Sequence, residues 1–135
     1  MRESILTKEN FAEELVKKIP VLEPVYRIEE NRTNDFLATY KSASPYHIDT
    51  YAEMLTVISE NHLLRYLDSI IGMDEKGSEL REVFEFIEQM ATSLDERVLN
   101  AFEVTIMDRY KEAEVLEYAG PETLSRIRAF KGWLY

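Results

Sequence analysis

Apolar residues recur every three or four positions through most of the chain, and prolines, glycines and polar clusters separate the periodic stretches. This spacing places apolar side chains on one face of an α-helix. The first stretch carries Phe11, Leu15 and Ile19, with Thr7 before it as a candidate N-cap and Pro20 after it. The pattern therefore predicts a first helix that ends at Pro20.

Residues 20–44 allow two interpretations. Apolar positions after Pro20 are compatible with a short helix followed by a loop. Strand-favouring residues further on allow a hairpin instead, in which residues 25–30 pair with residues 35–40 across residues 31–34. We favour helix plus loop, and keep the hairpin over residues 25–40 as the alternative.

The middle of the chain is more regular. Thr50-x-x-Glu53 matches a capping box, and apolar positions then continue to Ile71 with a break expected near Asn61. Gly72 is a candidate C-terminal cap, and residues 72–77 should form a polar loop.

The clearest helical pattern lies over residues 80–94. Its apolar positions are Leu80, Val83, Phe84, Ile87, Met90, Ala91 and Leu94. Ser93-x-x-Glu96 predicts the cap of the next helix, which would form an antiparallel pair with this one. The inner face of that next helix would be Val98, Leu99, Phe102, Ile106 and Tyr110.

The last helix should begin at Pro121, directly after Gly120, because proline is well tolerated as a first helical residue. No interdomain linker or fixed-period repeat interrupts the chain. The sequence therefore predicts one all-α domain over residues 1–135, a compact bundle of about six helices built from consecutive antiparallel hairpins. The hairpin alternative would make the fold α+β.

Composition narrows the possible functions. The 135 residues include no cysteine, which excludes thiolate metal sites and cysteine nucleophiles. The net charge of −10 disfavours nucleic acid and anionic membranes as partners and favours a basic protein. No apolar run is long enough to cross a bilayer and the start has no signal-peptide core, so we expect a cytoplasmic protein.

The acidity is concentrated in one part of the chain. Residues 68–122 carry 5 Lys/Arg and 15 Asp/Glu, a balance of −10, whereas residues 1–67 and 123–135 carry −3 and +3. A charged binding face is therefore expected on the helices from Ser78 to Tyr110. The candidate partner contacts there are Glu82, Glu85, Asp95, Glu96, Glu103 and Asp108.

Residues suited to catalysis are few. His47-x-Asp49 could supply two metal ligands but lacks a third, and we expect His62 to be a hydrogen-bonded structural residue. The carboxylates of Glu79, Glu82, Glu85 and Glu88 fit a solvated helix face better than an acid–base pair. With no glycine-rich phosphate loop and no nucleophile elbow, we expect no cofactor, no metal and no catalytic residue.

Aromatic residues offer a further route to binding. Tyr26, Tyr40, Tyr46 and Tyr51 cluster in the least regular region, and Trp133 stands beside Lys131. We expect most of these rings to lie at the edge of the core. A tyrosine there can also present its hydroxyl to a ligand, and an exposed tryptophan beside positive charge would suit an interface.

Three stretches lie in order along most of the chain: residues 15–26 (LVKKIPVLEPVY), 95–100 (DERVLN) and 118–124 (YAGPETL). Together they resemble a family of small bacterial helical domains of unknown function. The resemblance implies an all-helical fold. It supplies no catalytic residues, because the shared stretches are helix ends and packing positions.

The favoured hypothesis is an acidic protein-binding module that engages a basic partner, in the manner of an immunity protein neutralising a basic toxin such as a nuclease. One alternative is a small enzyme or metal protein that uses His47, Asp49 and nearby carboxylates. Another is a homo-oligomeric scaffold with exposed aromatic residues. The composition leaves the oligomeric state open.

Overall fold

The computed structural model describes residues 5–41, 50–107 and 109–134, and these form an all-α bundle without strands. If the elements that follow one another directly are joined, the bundle contains six main helical segments and one short helix, in agreement with the predicted fold class. The α-helices are α1 (Phe11–Lys18), α2 (Glu23–Lys41), α3 (Thr50–Val57), α4 (Leu64–Ile70), α5 (Gly77–Ala91), α6 (Glu96–Phe102), α7 (Glu112–Val115) and α8 (Pro121–Leu134).

Helix α5 is the centre of the bundle. It contacts α1, α4, α6 and α8, and for this reason it is apolar on more than one face. Phe86 is buried in addition to the predicted stripe, and its ring meets that of Phe11 edge-on at 5.3 Å between centroids. The buried residues of α5 are Leu80, Val83, Phe84, Phe86, Ile87, Met90 and Ala91.

The alternative hairpin over residues 25–40 is wrong, and so is the loop of the favoured interpretation, because α2 continues to Lys41. Pro24 causes no break since it lies in the first turn, where its missing N–H is not needed. Ion pairs one turn apart support the polar middle of the helix: Arg27 Nη1 lies 3.3 Å from Glu30 Oε1, and Arg32 Nη1 lies 3.3 Å from Glu29 Oε1.

The break expected near Asn61 is a π-helical turn over Ile58–Leu63, which joins α3 directly to α4. A second π-helical turn, Glu103–Met107, follows α6. The two turns pack together, and the hydroxyls of Ser59 and Thr105 form a fully buried hydrogen bond of 2.6 Å between them. Each π turn therefore continues its helix while placing a polar group in the core.

Several helices begin or end at residues other than the predicted ones. The N-cap position of α1 is Asn10, whose side chain makes no capping hydrogen bond to the helix. Thr7 instead accepts the N–H of Asn10 with its hydroxyl, and its own N–H donates to Asn10 Oδ1, so that Thr7 closes the turn before the helix. Helix α5 ends at Ala91, so that Leu94 lies beyond it and is 73% exposed instead of in the core. The N-cap of α6 is Asp95 and not Ser93.

The start of α8 lies where Pro121 predicts it, and a residue of α5 caps it. The carboxylate of Glu88 accepts hydrogen bonds from the backbone N–H groups of Glu122 and Thr123, both at 2.9 Å, and from the Thr123 hydroxyl at 2.8 Å. A carboxylate is favourable at a helix N-terminus, where N–H groups lack partners. This contact fixes α8 against the central helix.

Within the described part of the chain, no helix is both long and apolar enough to cross a membrane.

Candidate functional site

Two of the predicted partner contacts form an ion-pair cluster with α1. Glu82 and Glu85 on α5 both contact the ammonium group of Lys18, with Glu82 Oε2 3.3 Å from Lys18 Nζ. The hydrogen bond to Glu85, followed by that to Glu82, raises the pKa of Lys18, and burial opposes the rise. These carboxylates are exposed, but a basic partner would have to compete with Lys18 for them.

The remaining predicted contacts differ in the partners that they already have. Asp95 is occupied by backbone hydrogen bonds: Oδ1 accepts from the N–H of Arg97 at 2.9 Å and Oδ2 from the N–H of Lys8 at 2.7 Å. Glu96 and Glu103 are exposed and have no ion pair among the described residues. Asp108 lies outside the described residues.

His62 is a hydrogen-bonded histidine, as predicted. Its Nε2 lies 3.2 Å from Oε1 of Glu29, a nearly buried carboxylate of α2 that also pairs with Arg32. His47 and Asp49 lie outside the described residues. Among residues 5–41, 50–107 and 109–134, no three His, Asp or Glu side chains are placed to hold a metal ion.

A concave surface lies elsewhere, where α1, α2 and α3 meet; we refer to it as the α1–α2–α3 cleft. It has a volume of ≈270 Å³, slightly below the range of typical small-molecule pockets. Its lining residues are Lys8, Glu9, Ala12, Glu13, Tyr26, Glu30, Thr33, Asn34, Tyr51, Met54 and Leu55.

Helical spacing explains why these residues converge. Tyr26, Glu30 and Thr33 follow one another at intervals of four and three along α2, so they share one face. Glu9 lies in the turn that precedes α1, and Glu13 lies in the first turn of that helix. The buried side chains of Ala12, Tyr26 and Leu55 belong to the hydrophobic core, so the wall of the cleft is continuous with it.

Tyr26 links the apolar wall to the charged rim. Its ring is only 8% exposed, and its hydroxyl donates a 2.8 Å hydrogen bond to Oε2 of Glu30. Burial, the hydrogen bond to Glu30 and the negative charges of Glu30 and Glu13 together raise the pKa of Tyr26 to about 12. Tyr26 is therefore a protonated donor at neutral pH.

The charge of the cleft is negative. Glu9, Glu13 and Glu30 contribute three carboxylates against the single ammonium group of Lys8. Glu9 and Glu13 are exposed and, among the described residues, accept no hydrogen bond and contact no cation. Carboxylates that line the same cleft repel each other, which a bound cation would relieve. The arrangement is suited to binding a cation between carboxylates and aromatic rings.

Only part of this cleft was predicted from the sequence. Tyr26 and Tyr51 belong to the predicted tyrosine cluster, and the structure brings them to the same cavity, where Tyr51 is 53% exposed. Tyr46 lies outside the described residues, and of Tyr40 and Trp133 the structure describes the backbone but not the side chain. The pairs Glu9/Glu13 and Tyr26/Glu30, each spaced by four residues, were the available signal for the rest.

Comparison of the chain with protein-family models, with curated proteins and with solved structures finds no match. The resemblance of residues 15–26, 95–100 and 118–124 to small bacterial helical domains therefore stands on those stretches alone.

Proposed function

We propose that this chain is a protein-binding module that engages a basic partner, and that the α1–α2–α3 cleft is its point of contact. The observation that carries the proposal is that two exposed carboxylates, Glu9 and Glu13, contact no cation among the described residues and lie beside Tyr26, Tyr51 and Glu30 in one concave site. Such carboxylates are available to the positive charges of a partner.

The overall charge supports the same function. A net charge of −10 accelerates encounter with a positively charged protein, and aromatic rings with a polar rim are typical of the centre of protein interfaces. The specific form that we propose is an immunity-type protein whose carboxylates occupy the phosphate-binding surface of a basic toxin such as a nuclease. A metal enzyme and a homo-oligomeric scaffold are less well supported, since neither has a comparable set of described residues.

Affinity capture at low and high salt tests the proposal. The immobilised full chain should retain a basic protein at low salt and release it as the salt concentration rises, because salt screens exposed charges. The retained protein is identified by mass spectrometry, purified and measured again by titration calorimetry. If repeated captures from the native host retain no basic protein, the proposed function is wrong.

Matched charge variants locate the binding surface. E9Q/E13Q and E96Q/E103Q each change the net charge from −10 to −8, so long-range attraction falls equally in both. We expect E9Q/E13Q to weaken binding of the purified partner by at least tenfold and E96Q/E103Q by less than threefold. The opposite order would transfer the contact surface to α6 and the second π-helical turn.

A further inference from the structure

We infer that the α1–α2–α3 cleft recognises a guanidinium group, so that the partner inserts an arginine side chain and not a lysine. The inference rests on the proposed function, which it makes more specific. It depends on the kinds of groups that surround the cleft and on the way in which one of the protein's own arginines is already bound at its edge.

Arg27 provides that internal example. Its guanidinium carbon lies 5.2 Å from the centre of the Tyr26 ring, within the distance of a cation–π contact. Its Nη1 lies 3.3 Å from Oε1 of Glu30, and its Nη2 lies 3.7 Å from Oε1 of Glu23. A guanidinium group therefore sits over a cleft tyrosine and pairs with a cleft carboxylate.

The cleft contains a second tyrosine and further carboxylates of the same kinds. Tyr51 is 53% exposed, and Glu9 and Glu13 contact no cation among the described residues. A cation that enters the cleft would meet the ring of Tyr51 and the carboxylates of Glu9 and Glu13, in the way that Arg27 meets the ring of Tyr26 and the carboxylate of Glu30. Met54 and Leu55 add apolar surface against which an aliphatic stem can pack.

The chemistry of the two basic side chains favours arginine. A guanidinium group is planar, weakly hydrated and able to stack on a ring while its N–H groups reach two carboxylates. An ammonium group is a compact, strongly hydrated charge and gains less from an aromatic wall. The cleft volume of ≈270 Å³ leaves room for one long side chain.

The test compares two probes of equal charge, N-acetyl-arginine amide and N-acetyl-lysine amide, titrated into the isotopically labelled full chain. Backbone resonances of Glu13 and Tyr51 report on the cleft, and that of Glu103 serves as a distant control. We expect the arginine probe to bind in the cleft about two- to fivefold more tightly than the lysine probe, because the guanidinium group can stack on the ring while its N–H groups reach the carboxylates.

Two substitutions of an exposed residue separate ring chemistry from simple packing. Y51F should keep the preference for arginine because the aromatic face remains, whereas Y51L should abolish it; circular dichroism checks that both variants fold. Equal affinity for the two probes, or an arginine preference that survives in Y51L, overturns the inference. If the inference is overturned but a basic partner is still captured, the proposed function stands. If the arginine probe binds selectively but no basic partner is captured, the cleft chemistry is supported and the proposed function is contradicted.

Discussion

The hydroxyls of Ser59 and Thr105 lie 2.6 Å apart in the core, and each residue belongs to a different π-helical turn. Both side chains are fully buried, so neither hydroxyl can turn to water when its partner is removed. A π turn inserts one residue into a helix and leaves the local backbone hydrogen bonds irregular. The hydroxyl pair thus holds together the two least regular parts of the helical core.

Ser59→Ala and Thr105→Val should each destabilise the fold by about 1–3 kcal/mol, since each leaves a buried hydroxyl without a partner. The double variant S59A/T105V should cost less than the sum of the two, because it leaves no unsatisfied group. Urea unfolding of the four proteins measures the coupling. Additive losses would mean that the two hydroxyls do not depend on each other.

Gly120 is required because Glu88 occupies the space that a side chain would fill. A Cβ atom at position 120 would lie 2.4 Å from Cδ and 2.6 Å from Oε1 of Glu88, the carboxylate that caps α8. Gly120→Ala should therefore destabilise the protein by about 2 kcal/mol through the loss of charged hydrogen bonds. Gly77→Ala is the matched control, because its Cβ would meet only the Tyr118 hydroxyl at an ordinary 3.7 Å.

A variant without the Glu88 carboxylate tests whether the clash with Glu88 causes the loss of stability in Gly120→Ala. Glu88→Ala removes the capping carboxylate and with it the obstacle, so adding Gly120→Ala to that variant should cost less than about 1 kcal/mol. Chemical unfolding of the double variant and its two parents gives the comparison. An equal cost of Gly120→Ala in both backgrounds would contradict the proposed clash.

The hydroxyl of Tyr26 should make stability fall at high pH. Its pKa is about 12 in the folded protein against 10.0 for the free side chain, so the unfolded chain loses this proton first. Stability from this group is complete below pH 10 and is lost as the pH rises towards 12, by about 2 kcal/mol. Tyr26→Phe should remove that part of the pH dependence, measured as the difference in unfolding free energy from wild type at pH 7, 9 and 11.5. A constant difference across this range would contradict the prediction.

The sequence predicts well which side chains are buried when their burial follows from their position around a single helix. The stripe from Leu80 to Ala91 is confirmed because three- and four-residue spacing places its members on one face of α5, whereas the burial of Phe86 depends on the packing of α1 against another face. Leu94 continues the spacing, but the helix ends before it, and its exposure could not follow from periodicity. The hairpin alternative failed because the strand preference of a few residues is weaker than the context of a long helix.

The candidate site was harder to predict because it depends on how three helices meet. The charge pattern directed attention to residues 78–110, yet Glu82 and Glu85 are paired with Lys18 from α1. Glu9 and Glu13 lie in a part of the chain with a small net charge, and only the packing of α1 against α2 and α3 brings them beside Tyr26 and Tyr51. Sequence composition counts charges but does not reveal which of them are already neutralised.

Asp95 is a charged residue whose carboxylate is already bound within the fold. Because it accepts backbone hydrogen bonds from Lys8, 87 positions away, and from Arg97, Asp95→Ala should destabilise the fold by about 1–2 kcal/mol. Ser93 also connects the N-terminal segment to the start of α6, since its hydroxyl donates to the carbonyl of Leu6 and accepts from the N–H of Asp95. The amide of Lys8 should consequently exchange faster in the variant than in wild type.

The neighbouring Glu96 supplies the control. It is exposed in the first turn of α6 and has no ion pair among the described residues, so Glu96→Ala should change stability by no more than about 0.5 kcal/mol. Thermal unfolding and hydrogen exchange on both variants separate a structural carboxylate from a solvated one. If Asp95→Ala leaves stability and Lys8 exchange unchanged, Asp95 does not anchor the N-terminal segment, and its carboxylate returns to the set that a basic partner could contact.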